Sequence, residues 1–144
     1  MTKPINVLIL CTGNSARSQM AEGLLREMAG DRIEVASAGV APTHVRQEAI
    51  NVMKEIGIDI SKHRSKSIDE VIAQPFDYVI TVCDNANQQC PIFSGAGNRI
   101  QWSIEDPAAL QGDDQTRFGG FRHVRDELRV RLRRFIEDEV GSGS

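Results

Sequence analysis

At 144 residues, with 40% hydrophobic and 26% charged side chains, the chain has apolar material for one core and too little for two domains. A formal net charge of -3 gives no overall basic field to draw it onto nucleic acid or an anionic bilayer, so any anion it binds must be captured locally. Three cysteines are an odd number in a chain large enough to fold without staples, which argues against a disulfide framework and for reactive or buried thiols.

The first predicted element is Ile5 to Leu10, a short, nearly continuous apolar run that suits a parallel strand covered on both faces. It is far too short for a membrane span, and no basic segment with a cleavage site precedes it; the expectation is a soluble cytoplasmic protein with no membrane partner. After the turn-rich Cys11 to Ser18, Met20, Ala21, Leu24, Leu25 and Met28 recur at helical spacing and Gly30 supplies a stop. Ile33 to Gly39 then alternates as a strand, and Val45, Ala49, Ile50, Met53 and Ile56 return to helical spacing before Gly57. Ser67 to Glu70 reads as a capping box opening a short helix through Ala73. Asp77 to Cys83 is a third buried strand and Arg99 to Ile104 a fourth. In the last helix Val124, Leu128, Leu132, Phe135 and Ile136 share one side, and its arginines, interleaved with acids, are expected to face water. Residues 1–140 form one domain in this reading and Gly141 to Ser144 a frayed tail. The fold class is α/β: a single-domain, doubly wound, four-stranded parallel sheet with helices on both faces, whose ligands sit beyond the carboxyl ends of the strands.

That rule points at Cys11-Thr12-Gly13-Asn14-Ser15-Ala16-Arg17-Ser18, between a buried strand and a helix, where backbone N–H groups and the positive helix end converge on an anion. Five residues separate Cys11 from Arg17, so the loop can curl until thiolate and guanidinium face the same oxyanion, with Thr12 to Ser18 as its binding segment. The N–H array and the Ser18 hydroxyl are expected to stabilise the Cys11 thiolate, the attacking species. Gly13 allows close backbone approach or positive φ, and Asn14 can hold the loop by bonding its own backbone. A buried thiol ending a strand is the plain alternative for Cys11; the glycine, arginine and serine at these offsets favour a nucleophile with its electrophile pre-bound. Cys83 ends the third strand, at the same sheet edge, and Cys90 follows after six intervening residues. These are either a core thiol and a surface thiol, or the second and third thiols that a two-electron reduction of a bound oxyanion requires.

The loop matches the Cys-x5-Arg-Ser signature of the low-molecular-weight protein tyrosine phosphatase superfamily, and the strand–helix order resembles that fold over nearly the whole chain. The resemblance implies that Asp106, in the Asp106-Pro107 that follows the fourth strand, is a general acid rather than an ordinary turn residue. Cys11 to Ser15, Cys83 with Cys90, and Glu105-Asp106-Pro107-Ala108 together resemble the thioredoxin-coupled arsenate reductases of that superfamily. This implies arsenate as substrate, with phosphate or sulfate competing, attack by Cys11, a Cys11–Cys83 and then a Cys83–Cys90 disulfide, and thioredoxin as reductant of a monomer without cofactor or metal. Two departures stand out: Ala16 where related reductases often carry a further cysteine, and Ala108-Ala109-Leu110 where phosphatases carry an aromatic rim. Some family members bind a monovalent cation through residues matching Asn14, Glu22 and Ser37; Lys66 offers its own charge to that neighbourhood, and the sequence leaves the choice open. The rival readings are a phosphatase with incidental thiols, in which Cys11, Arg17, Ser18 and Asp106 suffice, and a phosphate-binding thiol redox sensor that has no use for Asp106. A zinc site from Cys11, Cys83 and Cys90 with His44, His63 or His123 lacks short ligand spacing, and each histidine reads as a polar surface or capping residue.

Overall fold

The structure, a computed structural model, describes residues 4–83, 98–109 and 111–140. Its elements are β1 (Ile5–Cys11), α1 (Arg17–Ala29), β2 (Ile33–Gly39), α2 (Gln47–Lys54), β3 (Tyr78–Thr81), β4 (Asn98–Gln101) and α3 (Asp114–Phe135). All strand pairings are parallel, in the order β2-β1-β3-β4. Val7, Leu8, Ile9 and Leu10 are each 0% exposed; because successive strand residues point to opposite faces, β1 is covered on both sides, as its unbroken apolar run requires.

The chain leaves β1 for β2 on one side and later returns to β3 on the other, so the carboxyl ends of β1 and β3 flank the crevice where such sheets bind ligands. Cys11 closes β1 and Cys83 lies just past β3. α1 ends as its sequence indicates: Gly30 takes φ 55° and donates its N–H to the Arg26 carbonyl. Gly23 lets the neighbouring segment come close, since a Cβ there would lie 2.8 Å from Ile60 Cγ2 and 3.2 Å from Met53 Cε.

Three expectations are corrected. The segment after Ser67 is only a 3-10 turn, Ile68–Glu70, because the Ser67 hydroxyl accepts from the nearer Asp69 N–H and no apolar periodicity sustains a longer helix. β3 and β4 are shorter than the apolar runs suggested, although Trp102 and Ile104 still donate N–H bonds to Thr81 and Val82 carbonyls beyond the regular ladder. α3, for whose start no expectation was set, begins at an Asp113 cap whose carboxylate accepts the Thr116 N–H at 2.8 Å. Its arginines do not all face water: buried Arg125 donates to the Val52 carbonyl at 2.8 Å, to Glu55 at 2.9 Å and to Asp126 at 2.9 Å, tying α3 to the end of α2. The other side of α3 meets the sheet, with the Tyr78 and Phe135 rings edge to face at 5.1 Å. Asp84 to Gln89, Cys90, Ser94 to Gly97 and the tail Gly141 to Ser144 lie outside the described residues.

Candidate active site

Between β1 and α1 every carbonyl from Cys11 to Ser15 is turned toward a partner. The Cys11, Thr12, Gly13 and Ser15 oxygens accept the N–H groups of Val40, Ala41, Thr43 and Arg46 at 3.3, 2.8, 3.0 and 2.9 Å. The Asn14 oxygen takes the Ser65 hydroxyl at 2.7 Å and Gln19 Nε2 at 3.2 Å. Peptide N–H and C=O groups point oppositely, so a loop whose oxygens all face outward presents its N–H groups inward. The N-terminus of α1 continues that array: Ala16 is its cap and offers no side-chain bond to the first-turn amides. Such an array can serve as an oxyanion cradle.

Positive φ in the loop belongs to Asn14 (48°) rather than Gly13, and Asn14 does not bond its own backbone. Its fully buried side chain donates to the Ser18 hydroxyl at 2.8 Å and the Ser37 hydroxyl at 2.9 Å, and its oxygen accepts Gln19 Nε2 at 2.9 Å and the Lys66 N–H at 2.9 Å. Ser37 in turn donates to Glu22 Oε1 at 2.6 Å. The strand that receives the loop must end in glycine, since a Cβ on Gly39 would sit 2.6 Å from the Thr12 oxygen and 2.8 Å from the Asn14 nitrogen. Gln19, Gly39 and Ser65 were not singled out from sequence; Gly39 at a strand end was the one available signal. His63 is not a mere surface or capping residue: it is half-buried, its Nδ1 3.0 Å from Gln19 Oε1. His44 and His123 are exposed.

Cys11 and Cys83 are both buried and are not joined in a disulfide. The Cys83 hydrogen bond to Cys11, together with burial, pushes the Cys11 thiol well above its ordinary range; the Arg17 charge and the Ser18 N–H pull the other way. Two expectations change here. The Ser18 hydroxyl supports Asn14 while its backbone N–H serves the sulfur, and the pairing with Cys83 opposes the thiolate that Arg17 and this N–H favour. The Thr12 hydroxyl lies 3.2 Å from Cys83 Sγ.

Arg17 opens α1 and reaches over to the segment after β4, donating to the Ile104 carbonyl at 2.9 Å with Asp106 Oδ2 at 3.9 Å. Asp106 itself is fixed by accepting the Ala108 N–H at 3.0 Å, the first bond of the Pro107–Ala109 turn. A cleft of about 270 Å³ lined by Arg17, Cys83, Ser103, Ile104 and Glu105 opens beside them. The structure thus gathers Cys11, Thr12 to Ser18, Cys83 and Asp106 at one sheet edge. Cys90 lies outside the described residues.

The model of the low molecular weight phosphotyrosine protein phosphatase family matches residues 6–142. The chain belongs to this family. Within it, the arsenate reductase of Halalkalibacterium halodurans is 44% identical over 91% of this chain and 94% of its own. A solved arsenate reductase in its phosphate-binding state superposes with a TM-score of 0.80 at 32% identity, covering 92% of this chain and 96% of that one. A thioredoxin-dependent arsenate reductase of Corynebacterium glutamicum superposes with a TM-score of 0.72 at 30% identity, covering 95% of this chain and 63% of that one.

Two outcomes follow from the geometry of this family member. In a Cys90→Ala background, Cys83→Ala removes the strongest influence holding the proton on Cys11, so alkylation of Cys11 by iodoacetamide at neutral pH should accelerate at least about tenfold, the equivalent of one pKa unit; an unchanged rate would show that the pairing has no such effect. Burial alone would raise the Glu22 pKa, but the Ser37 hydroxyl, Lys66, His63 and Arg26 together lower it from 4.5. A depressed carboxylate pKa contributes stability that is complete above 4.5 and is lost as pH falls through the lower folded value. Glu22→Gln should therefore cost about 2 kcal/mol in neutral denaturant titrations, with the gap to the parent narrowing below pH 4.5; a pH-independent gap would contradict this.

Proposed function

We propose that the chain reduces arsenate to arsenite, with Cys11 as nucleophile and Cys83 and Cys90 as the thiols that carry the oxidation away. The observation that carries this reading is a second buried thiol, Cys83, just past β3 and so beside the strand that Cys11 closes, at the mouth of the anion loop: hydrolysis of a phosphate ester has no use for a second thiol there. The arsenate reductases among its relatives, one of them a phosphate-bound structure and one thioredoxin-dependent, support it.

In this reading Thr12, Gly13, Asn14, Ser15, Ala16 and Ser18 hold the arsenate through their N–H groups, and the Arg17 fork pairs with two of its oxygens. Cys11 passes its thiol proton to a bound arsenate oxygen and attacks arsenic as the thiolate, an As–O bond breaks, and Asp106 gives its proton to the departing oxygen, leaving a sulfur–arsenic(V) adduct. The Cys83 thiolate then attacks Cys11 Sγ. The S–As bonding pair stays with arsenic, which leaves as arsenite(III), and a Cys11–Cys83 disulfide remains. Cys90 attacks Cys83, releasing Cys11 as thiolate, and a dithiol protein of the thioredoxin type returns two electrons to the Cys83–Cys90 disulfide. Ala16 leaves Cys11 without an in-loop thiol partner, and Ala108-Ala109 beside the acid present no aromatic rim for a phenyl ring, which favours a small inorganic oxyanion. Phosphate and sulfate compete for the cradle. Among the described residues no helix is long and apolar enough to cross a membrane; we place the protein in the cytoplasm, where a thiol relay stays reduced, and as a monomer, since every named step uses one chain.

The second reading, a phosphatase with incidental thiols, has the cradle, Arg17 and Asp106 in its favour. NADPH consumption by the protein with arsenate, thioredoxin and thioredoxin reductase separates them. Sustained oxidation that phosphate cannot replace is the expected result; a flat trace beside hydrolysis of an aryl phosphate would hand the site to the phosphatase.

A further inference from the structure

Glu22 is 5% exposed, takes no part in the reaction above, and stands two hydrogen bonds behind Asn14. Around it lies the donor set through which some members of this family hold a monovalent metal ion, and the arrangement here does not suit one. The amide of Asn14 turns its NH2 group toward Ser18 and Ser37, while its oxygen is engaged by Gln19 and the Lys66 N–H. Ser37 spends its proton on Glu22 Oε1 and its oxygen on Asn14. Both carboxylate oxygens already face cations: Oε1 the Lys66 ammonium at 3.8 Å, Oε2 the Arg26 guanidinium at 2.8 Å. A third positive charge would enter a pocket holding one carboxylate and two cations, and would be repelled.

We infer that Lys66 is the resident cation of this pocket, and that the anion loop is therefore independent of potassium and sodium. The ammonium is fixed by more than Glu22: Nζ donates to the Arg64 carbonyl at 3.3 Å, and the side chain is 19% exposed. The same residue pins the loop through its backbone, its N–H on Asn14 Oδ1 at 2.9 Å and its carbonyl accepting the Gly39 N–H at 2.8 Å. Charge and loop geometry are thus carried by one residue, where an exchangeable ion would leave them separable. The one remaining titratable neighbour, His63, has Nδ1 3.8 Å from Glu22 Oε2, and at neutral pH its hydrogen bonds favour the uncharged ring. Gln19 Nε2 donates to Asn14 and Arg64 oxygens, so Gln19 Oε1 accepts from His63 Nδ1–H; His63 Nε2, 3.3 Å from Arg26 Nη1, then accepts from that guanidinium. Protonation would set an N–H against Arg26, and burial favours the neutral ring as well.

The test is independent of the reductase reading, because its probe is inorganic phosphate. The phosphate dissociation constant, by calorimetry, and the melting temperature are measured in potassium chloride and in N-methylglucamine chloride of equal ionic strength, for the parent, Lys66→Arg and Lys66→Ala. The parent and Lys66→Arg should show the same values in both salts. Lys66→Ala should bind phosphate at least about fivefold more weakly in the organic salt and recover part of that loss in potassium, the vacated pocket now accepting the ion. A potassium-specific gain in the parent overturns the inference, as does a Lys66→Ala protein that matches the parent or is weakened equally in both salts. Should Lys66→Ala fold only in potassium, the inference stands; should it fold in neither, the comparison of salts on the parent and Lys66→Arg decides.

Discussion

The structure depends on five consecutive carbonyls being turned away from the space they enclose. A backbone segment that presents its N–H groups to an anion must place its oxygens somewhere, and buried oxygens without partners are costly. Here four of them are met by N–H groups of residues 40–46, and the fifth by Ser65 and Gln19. The extension of β2 beyond Gly39 thus works as a brace for the loop. The requirement for glycine at that point, where any Cβ would strike the Thr12 oxygen, follows from the closeness of the two segments.

The side-chain bonds of Asn14 convert this brace into a fixed geometry. A residue at φ 48° leaves the favoured region, and it is held there by partners from α1, β2 and the segment before Ser67. Glu22 anchors that set from below, and Arg17 extends it upward to Ile104 and Asp106. Consequently the sulfur of Cys11, the Arg17 fork and the Asp106 carboxyl are held in place together by bonds within the protein, which is the condition for electrostatic preorganisation in the proposed reaction. Cys83 enters from the neighbouring strand because β3 pairs directly with β1.

How much of this was legible in the sequence differs by kind of feature. Continuous apolar runs marked β1 and β3, Gly30 marked the end of α1, and the Cys-to-Arg spacing marked the cradle, because each is a local pattern with one physical cause. The loop's interior was less legible. Gly13 was the natural candidate for positive φ, yet Asn14 takes it, because its side chain finds four partners, three of them buried. Gln19, Ser65 and the backbone of residues 40–46 were invisible as supports, since their roles arise only when distant segments meet. Arg125 misled for the same reason: an arginine on a polar helix face reads as solvated until Glu55 and the Val52 carbonyl are brought beneath it. That Asp106 would lie near Arg17 could be expected only with the loop in hand, since Asp-Pro by itself is common turn chemistry.

The central claim is that the cradle sets Cys11 and Cys83 side by side so that they react in sequence on one bound oxyanion. A single turnover of Cys90→Ser with one equivalent of arsenate and no reductant tests this most directly, with released arsenite quantified and the disulfide located by peptide mass spectrometry. One equivalent of arsenite per chain and a disulfide joining Cys11 to Cys83 is the result the account predicts. Arsenite released with both thiols still free, or a disulfide that omits Cys11, would contradict it.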